Sequence, residues 1–384
     1  MLNKIVIKKL FGLYDYSIDW KDSSIKNLLF ITGPNGMGKT TILRMISMLS
    51  SFSPEFYERI KFQEVTFEFD GGQMLKLHRS ENSPKQDIKT DLPSPKTILL
   101  KCEFRSSGSV LSSELCGWEY VDHKLQKVYG EEMTNMRLFL QTESCRFLQD
   151  VRIFSDFDGE YERACKNADI IKEKLTKLQI HLEDALMYDD SLRVENEKMD
   201  INKRIKNVRV TLELLNKCEI KFDKQDLITS NDNFGTEDFI RQLVRFEKSF
   251  NENIKEISLL RTYLALVKRF GFTDKELRLA PRFGYRFVQS KTGEFIDFED
   301  LSSGEKHILC LLNGLFFVKV DSPLVLIDEP ELSFHLYWQM QFCWAMKKVV
   351  KELGFRILVA THSAQIFDGD FSLTTDLYKQ NSTN

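Results

Sequence analysis

Apolar and polar positions change rhythm twice along this chain. Residues 3–9 alternate loosely and read as an edge strand, 13–20 as a second strand, and the apolar run 27–32 as a buried strand. Residues 64–69 alternate strictly, and Gly71-Gly72 then turns the chain into Met74-Leu75-Lys76-Leu77, a hairpin with one wet face. A polar loop over 80–96, rich in Pro and Ser, precedes strands at 97–104 and 137–143, the second carrying Gln141 near its end.

From about residue 160 the period lengthens. Ala164, Ala168, Ile171, Leu175, Leu178, Leu182 and Ala185 form a heptad seam with charge between. Tyr188-Asp189-Asp190-Ser191 interrupts it, and the spacing resumes at Ile201, Ile205, Val208, Leu212 and Leu215. Two helices of about 25 residues would each run roughly 35–40 Å. Joined by a short turn they read as an antiparallel helical hairpin, and a third helix over 236–268 brings the chain back. A projecting arm is the favoured form and a compact helical subdomain the alternative. No Cys pair marks the tip, which argues against a zinc-bridged hook.

Alternation then returns. Residues 283–298 predict a hairpin turning at Lys291-Thr292-Gly293-Glu294, and Ile308 to Leu312 predicts an apolar helix. Two apolar runs, 323–327 and 357–360 after Arg356, have the character of central parallel strands buried on both faces. The succession predicts an α/β fold, a mixed or parallel sheet with flanking helices, interrupted by a helical insert.

Composition narrows this only a little. With 384 residues, 42% hydrophobic and 29% charged, the chain can bury a sizeable core in two or three domains. A net charge of −3 supplies no global field toward nucleic acid or membrane. The apolar stretch 308–318 is too short to span a bilayer, so no membrane partner is expected. The sequence opens directly in strand-like residues, and a cytoplasmic protein without a signal peptide is expected. Seven scattered cysteines with no C-x-x-C fit reduced thiols better than disulfides or zinc.

The chemistry gathers where apolar strands end. After 28–31 comes Gly33-Pro34-Asn35-Gly36-Met37-Gly38-Lys39-Thr40-Thr41, a G-x-x-x-x-G-K-[ST] loop opening into a helix. Glycines let backbone N–H groups turn inward around a polyphosphate, and the helix N-terminus adds partial positive charge. Lys39 suits the β- and γ-phosphates and Thr40 a Mg²⁺ ion, so ATP and Mg²⁺ are the expected cofactors. Asp328 and Glu329 end the run 323–327. Two acids there are costly to bury without a metal or partner. Asp328 suits a Mg²⁺-water contact and Glu329 the general base for water. Leu301-Ser302-Ser303-Gly304-Glu305 places two hydroxyls and a glycine before a helix, where an anion can bind. Ala360-Thr361-His362-Ser363 ends the last strand in a histidine suited to sensing a γ-phosphate.

The order of phosphate loop, Gln141, helical insert, Leu-Ser-Ser-Gly-Glu, Leu-Ile-Asp-Glu-Pro-Glu-Leu-Ser and Ala-Thr-His-Ser resembles the ABC-type P-loop ATPases of the structural-maintenance, RecF and OLD group. That resemblance implies lobes at 1–158 and 276–384 around a coiled-coil insert at 159–275. It implies a nucleotide site of Asn35, Gly36, Gly38, Lys39, Thr40 and Thr41, completed in a second chain by Ser302, Ser303 and Gly304. Gln141 would reach Mg²⁺ and the attacking water, His362 would be the switch histidine, and Glu331 to His335 would cross a dimer interface. Two ATP molecules in a head-to-tail pair of chains, open to higher oligomers, would follow, with the helical arms moving on hydrolysis.

The segments 300–307, 329–333 and 359–366 resemble more narrowly the Septu-type antiphage ATPases, including those attached to retrons, with Ala364 where their pattern has Pro. This implies an HNH-type nuclease as a partner in trans, with DNA or a retron RNA/DNA as a further candidate ligand. The alternative is a RecF- or SMC-like ATPase of DNA repair or chromosome maintenance. Few residues follow His362, so any cutting is expected from another chain. Lys203, Arg204, Lys206 and Arg209 read as a solvated helix face rather than a nucleic-acid stripe.

Overall fold

A computed structural model describes residues 2–49, 54–82, 97–106, 109–121, 124–128, 151–154, 168–187, 201–223, 225–229, 236–317 and 324–382. The chain divides into two compact units, residues 1–157 with 320–384, and residues 158–319.

The first unit holds two sheets. Its parallel sheet has the order β15-β3-β14-β13-β9, with β3 Leu28–Thr32, β9 Val151–Phe154, β13 Leu324–Asp328, β14 Arg356–Thr361 and β15 Thr374–Asp376. The expected burial holds: Leu28 to Ile31, Leu324 to Ile327 and all of β14 are buried. The seven-stranded antiparallel sheet runs β2-β1-β4-β5-β6-β7-β8. Its strands are β1 Leu2–Leu10, β2 Tyr14–Asp19, β4 Glu64–Phe69, β5 Met74–Asn82, β6 Thr97–Ser106, β7 Ser109–Val121 and β8 Lys124–Val128.

Two sequence expectations change here. The first strand is not an edge, because it pairs with β2 on one side and β4 on the other. Its loose alternation reflects Ile5, Ile7 and Leu10 turned into the core while Lys8 and Lys9 stay exposed. The strand after Gly71-Gly72 continues to Asn82, pairing along its length with β6.

Between the sheets lies one apolar core. It joins Ile5, Ile7, Val65, Phe67, Leu75 and Leu77 to Leu29, Ile31, Leu326 and Leu358. Helix α1 (Lys39–Ser47) fills it with Ile42, Leu43, Met45 and Ile46, all wholly buried. Burying side chains of this size contributes about 1.5–3 kcal/mol each and fixes α1 rigidly behind the glycine loop. Helix α2 is Pro54–Arg59.

The second unit contains α3 (Ala168–Met187), α4 (Ile201–Lys217), α5 (Gln225–Thr229), α6 (Glu237–Glu252), α7 (Ile254–Phe270) and α8 (Ser303–Phe316). A small sheet, β10 Lys275–Ala280, β11 Gly284–Gln289 and β12 Phe295–Ile296, completes it. The expected heptad positions Ile171, Leu175, Leu178, Leu182, Ile205, Val208, Leu212 and Leu215 are buried. The favoured two-helix arm is not what buries them. Helices α3 and α4 each pack on α6, whose Phe239, Leu243 and Phe246 are wholly buried. Ser249 Oγ donates to the Leu182 carbonyl at 3.0 Å, and a bidentate Arg204–Glu247 pair ties α4 to α6. A heptad seam specifies one apolar stripe but not its partner, and the strongly amphipathic α6 takes that place. The hairpin and α8, expected with the last lobe, cluster with these helices.

Candidate functional site

The site of the first unit is built at the carboxyl ends of three neighbouring parallel strands, where open α/β sheets bind ligands. Beyond β3 the chain turns through Gly33, Gly36 and Gly38, with φ of 151°, 85° and 89°. Gly38 is the left-handed residue that opens α1, and its carbonyl accepts the Ile42 N–H at 2.8 Å. A Cβ there would stand 2.8 Å from Leu10 Cδ2 and 3.1 Å from Phe11 Cε2. The turn after β1 therefore forms a wall of the loop, a role that sequence spacing did not disclose. Tyr16 fixes the loop from β2, its hydroxyl donating to the Met37 carbonyl at 2.8 Å.

Pro34, Asn35 and Gly36 are exposed, whereas Lys39 is buried and Thr40 and Thr41 are half-buried. The Lys39 ammonium donates to the carbonyls of Gly33 at 2.8 Å and Pro34 at 3.3 Å, so it lies inside the curve of the loop. An anion received by the loop's N–H groups would meet that charge directly.

Strand β13 brings the acids. The Thr40 hydroxyl hydrogen-bonds the Asp328 carboxylate, yet Oδ1 of Asp328 is buried without a partner. Burial pushes this carboxyl above its ordinary value, outweighing the Thr40 bond, and the neighbouring Glu329 charge adds to the rise. An ionised carboxylate with an unpartnered buried oxygen beside a hydroxyl is half of a hard-cation site. Thr40 and Asp328 thus fit Mg²⁺. Among the described residues no cluster of three or more His, Cys, Asp or Glu could hold a metal alone.

Glu329 leaves the strand in the left-handed region, φ 45° and ψ 54°, and leads into a 3₁₀ turn over Pro330–Ser333. Strain of this kind in a non-glycine residue costs on the order of 1–3 kcal/mol and concentrates at functional sites. Strand β14 then presents His362, whose Nδ1 is 3.9 Å from Glu329 Oε1 and 3.0 Å from Glu331 Oε1.

The structure therefore brings together Lys39, Thr40, Asp328, Glu329 and His362. Gln141 lies outside the described residues. Ser302, Ser303 and Gly304 belong to the second unit. There Ser302 caps α8, accepting from the Glu305 N–H, while the Glu305 carboxylate accepts from the Ser302 N–H at 2.8 Å and from Lys275 Nζ at 2.8 and 2.6 Å. Burial would raise the Glu305 carboxyl, but these bonds hold it below its ordinary value. Ser303 is exposed at the helix start and Gly304 is buried. The Glu331 to His335 segment is not uniformly a surface loop: Glu331 is buried while Leu332 is 60% exposed.

Residues 1–264 match the family model described as an AAA ATPase domain. The chain belongs to that family. Residues 167–368 also match the model described as AAA domain, putative AbiEii toxin, Type IV TA system. A similar curated protein is the Retron Vc95 probable ATPase of Vibrio cholerae serotype O1 biovar El Tor, 22% identical over 92% of this chain and 69% of that protein. Among solved structures, the Smc head domain of Pyrococcus furiosus bound to the C-terminal domain of ScpA is 11% identical. It covers 95% of this chain and 90% of its own, at a TM-score of 0.38. The SMC head domain from Thermotoga maritima is 13% identical over 96% of this chain and 91% of its own, at a TM-score of 0.37. No helix among the described residues is long and apolar enough to cross a membrane.

Proposed function

We propose that this chain is a Mg²⁺-dependent ATPase that pairs head to tail with a second copy and, in antiphage defence, gates a nuclease carried by another chain. The observation that carries the ATPase reading is the Thr40–Asp328 contact with its orphaned Oδ1, set beside the buried ammonium of Lys39. The glycine loop and Lys39 hold the triphosphate. Thr40 and Asp328 would hold the metal, with Gln141 in the same role, and the ion would neutralise phosphate charge. Glu329 takes a proton from the attacking water as its oxygen bonds to the γ-phosphorus and ADP departs. In this reading His362, half-exposed after β14, contacts the γ-phosphate.

Support for pairing comes from the motif resemblance. Ser302, Ser303 and Gly304 begin a helix in one unit, while the phosphate loop lies in the other. One copy's helix completing another copy's nucleotide site would let ATP close the pair and hydrolysis open it. The defence reading rests on the retron-associated relative and on the motif resemblance. The alternative, a DNA-repair ATPase, rests on the same fold.

The decisive experiment measures phosphate release with and without Mg²⁺, then light scattering of Glu329→Gln with ATP, then affinity capture from native cells. Mg²⁺-dependent turnover, a trapped dimer and a stoichiometric nuclease would support each step in turn. No turnover would overturn the ATPase reading. A monomeric variant would overturn pairing, and DNA-stimulated turnover with no captured nuclease would favour repair.

A further inference from the structure

Glu331 is a carboxylate that the hydrolysis scheme does not use, and its surroundings are unusual. Its side chain is only 4% exposed, and a single oxygen, Oε1, collects three groups from the end of β14. The Thr361 hydroxyl donates to it at 2.6 Å and the His362 main-chain N–H at 2.8 Å, and His362 Nδ1 stands 3.0 Å away. The other oxygen, Oε2, is buried without a partner. Burying a carboxylate so incompletely matched is costly, which argues that it serves more than packing.

The neighbourhood braces it. The Thr361 hydroxyl also accepts the Ser363 N–H at 3.0 Å, and Ser363 Oγ donates to Gln339 Oε1 at 2.9 Å. Gln339 sits on helix α9 (Leu336–Leu353), and its Nε2 donates to the Phe334 carbonyl at 2.9 Å. The segment after Glu329 and the segment after β14 are thus cross-linked twice, by Glu331 and by Gln339.

We infer that Glu331 is a positioning residue for His362: it holds the proton on Nδ1 and so leaves Nε2 as the ring nitrogen available to substrate. A carboxylate oxygen 3.0 Å from a ring nitrogen repels a lone pair there and attracts an N–H. Glu329, at 3.9 Å, is too distant to compete as acceptor. The main-chain bond to the same oxygen fixes where the ring begins, so both tautomer and orientation follow from one buried atom. Carboxylate–histidine pairs that set the tautomer of a working imidazole are a general device. The catalytic consequence rests on the ATPase reading above, whereas the tautomer does not.

The test is nitrogen-15 NMR of histidine-labelled protein without nucleotide, at mildly alkaline pH where a free imidazole is neutral. The chain has six histidines, and His362→Gln identifies the signal. The expected result is a proton on Nδ1 in the unaltered protein and in Glu331→Gln, which keeps the acceptor oxygen. In Glu331→Ala the proton moves to Nε2, kcat for ATP falls about 10- to 100-fold and KM changes little. Glu331→Gln retains most of kcat. A proton on Nε2 in the unaltered protein overturns the inference without any variant needing to fold, as does an Nδ1 proton that survives Glu331→Ala. Absence of ATPase activity in the unaltered protein would instead overturn the functional reading, leaving the tautomer result to stand or fall separately.

Discussion

The main-chain N–H of Glu329 donates to the carbonyl of Ala360 at 2.9 Å, tying the end of β13 to the end of β14 at the point where Glu329 turns left-handed. That bond holds a glutamate in a conformation that glycine adopts more readily. Two substitutions separate the strain from the chemistry. Glu329→Gln keeps the backbone and should lower turnover roughly 10²- to 10⁴-fold while ATP still binds. Glu329→Gly should be as inactive but raise the melting temperature, because relief of about 1–2 kcal/mol exceeds the entropy cost of a new glycine. Calorimetry beside phosphate-release rates checks both. A glycine variant that melts lower would show that the αL turn carries no strain.

Asp328 gives a prediction in pH. Burial raises its carboxyl above the ordinary value. A group that holds its proton more tightly when folded favours the fold below its unfolded pKa, and that contribution is lost as pH rises through the folded pKa. At neutral pH the ionised side chain therefore costs stability unless a cation sits beside it. Asp328→Asn should raise the melting temperature at neutral pH in chelator, and the gain should shrink as pH falls toward the ordinary carboxylate range. Added Mg²⁺ with ATP should stabilise the unaltered protein and not the variant. Melting curves across pH decide it; an asparagine variant less stable at neutral pH would contradict the burial argument.

Gly38 tests the loop. A Cβ at this position meets Leu10 Cδ2 at 2.8 Å and Phe11 Cε2 at 3.1 Å, and φ is 89°. Gly38→Ala should cost about 1–3 kcal/mol and displace the loop from the wall formed by the β1–β2 turn. Nucleotide affinity should fall with it. Gly36→Ala also has a positive φ but nothing within 4 Å, so it should lose less stability. Isothermal titration of both variants with ATP separates the crowding from the shared backbone cost.

Much of this was legible in the sequence because the chemistry is local there. Glycines, Lys39 and Thr40 occupy consecutive positions, and an apolar strand that ends in Asp328-Glu329 announces its own placement. The parallel strands β3, β13 and β14 were found for the same reason: a run buried on both faces needs no partner to be recognised. What failed was pairing at a distance. The heptad seam of α3 predicted a stripe correctly but assigned it to α4, when α6 covers both. Glu331 is offered by the sequence only within the 331–335 segment that the resemblance assigns to a dimer interface. Its bonds to Thr361 and His362 cross about 30 residues of chain, and no spacing rule reports such a contact.

Gly284 offers the sharpest test of the second unit's packing. It begins β11 with φ 77°, and a Cβ there would lie 2.0 Å from the Ala168 carbonyl oxygen and 3.1 Å from the Lys172 N–H nitrogen. Those atoms are helix backbone in α3, which cannot swing aside as a side chain would. Thr176, one turn further along, confirms the approach by donating to the Pro281 carbonyl at 3.3 Å. Gly284→Ala must push α3 away from the β10–β11 hairpin, and the heptad residues Ile171 and Leu175 move with it. The expected loss is about 3 kcal/mol or more, the sum of left-handed strain and overpacking. Gly293 is the control: its φ is 73° but nothing lies within 4 Å, so Gly293→Ala should cost only about 1 kcal/mol. Denaturant midpoints for the two variants make the comparison. Equal losses would mean that α3 does not rest on Gly284, and the helix would have to be docked elsewhere.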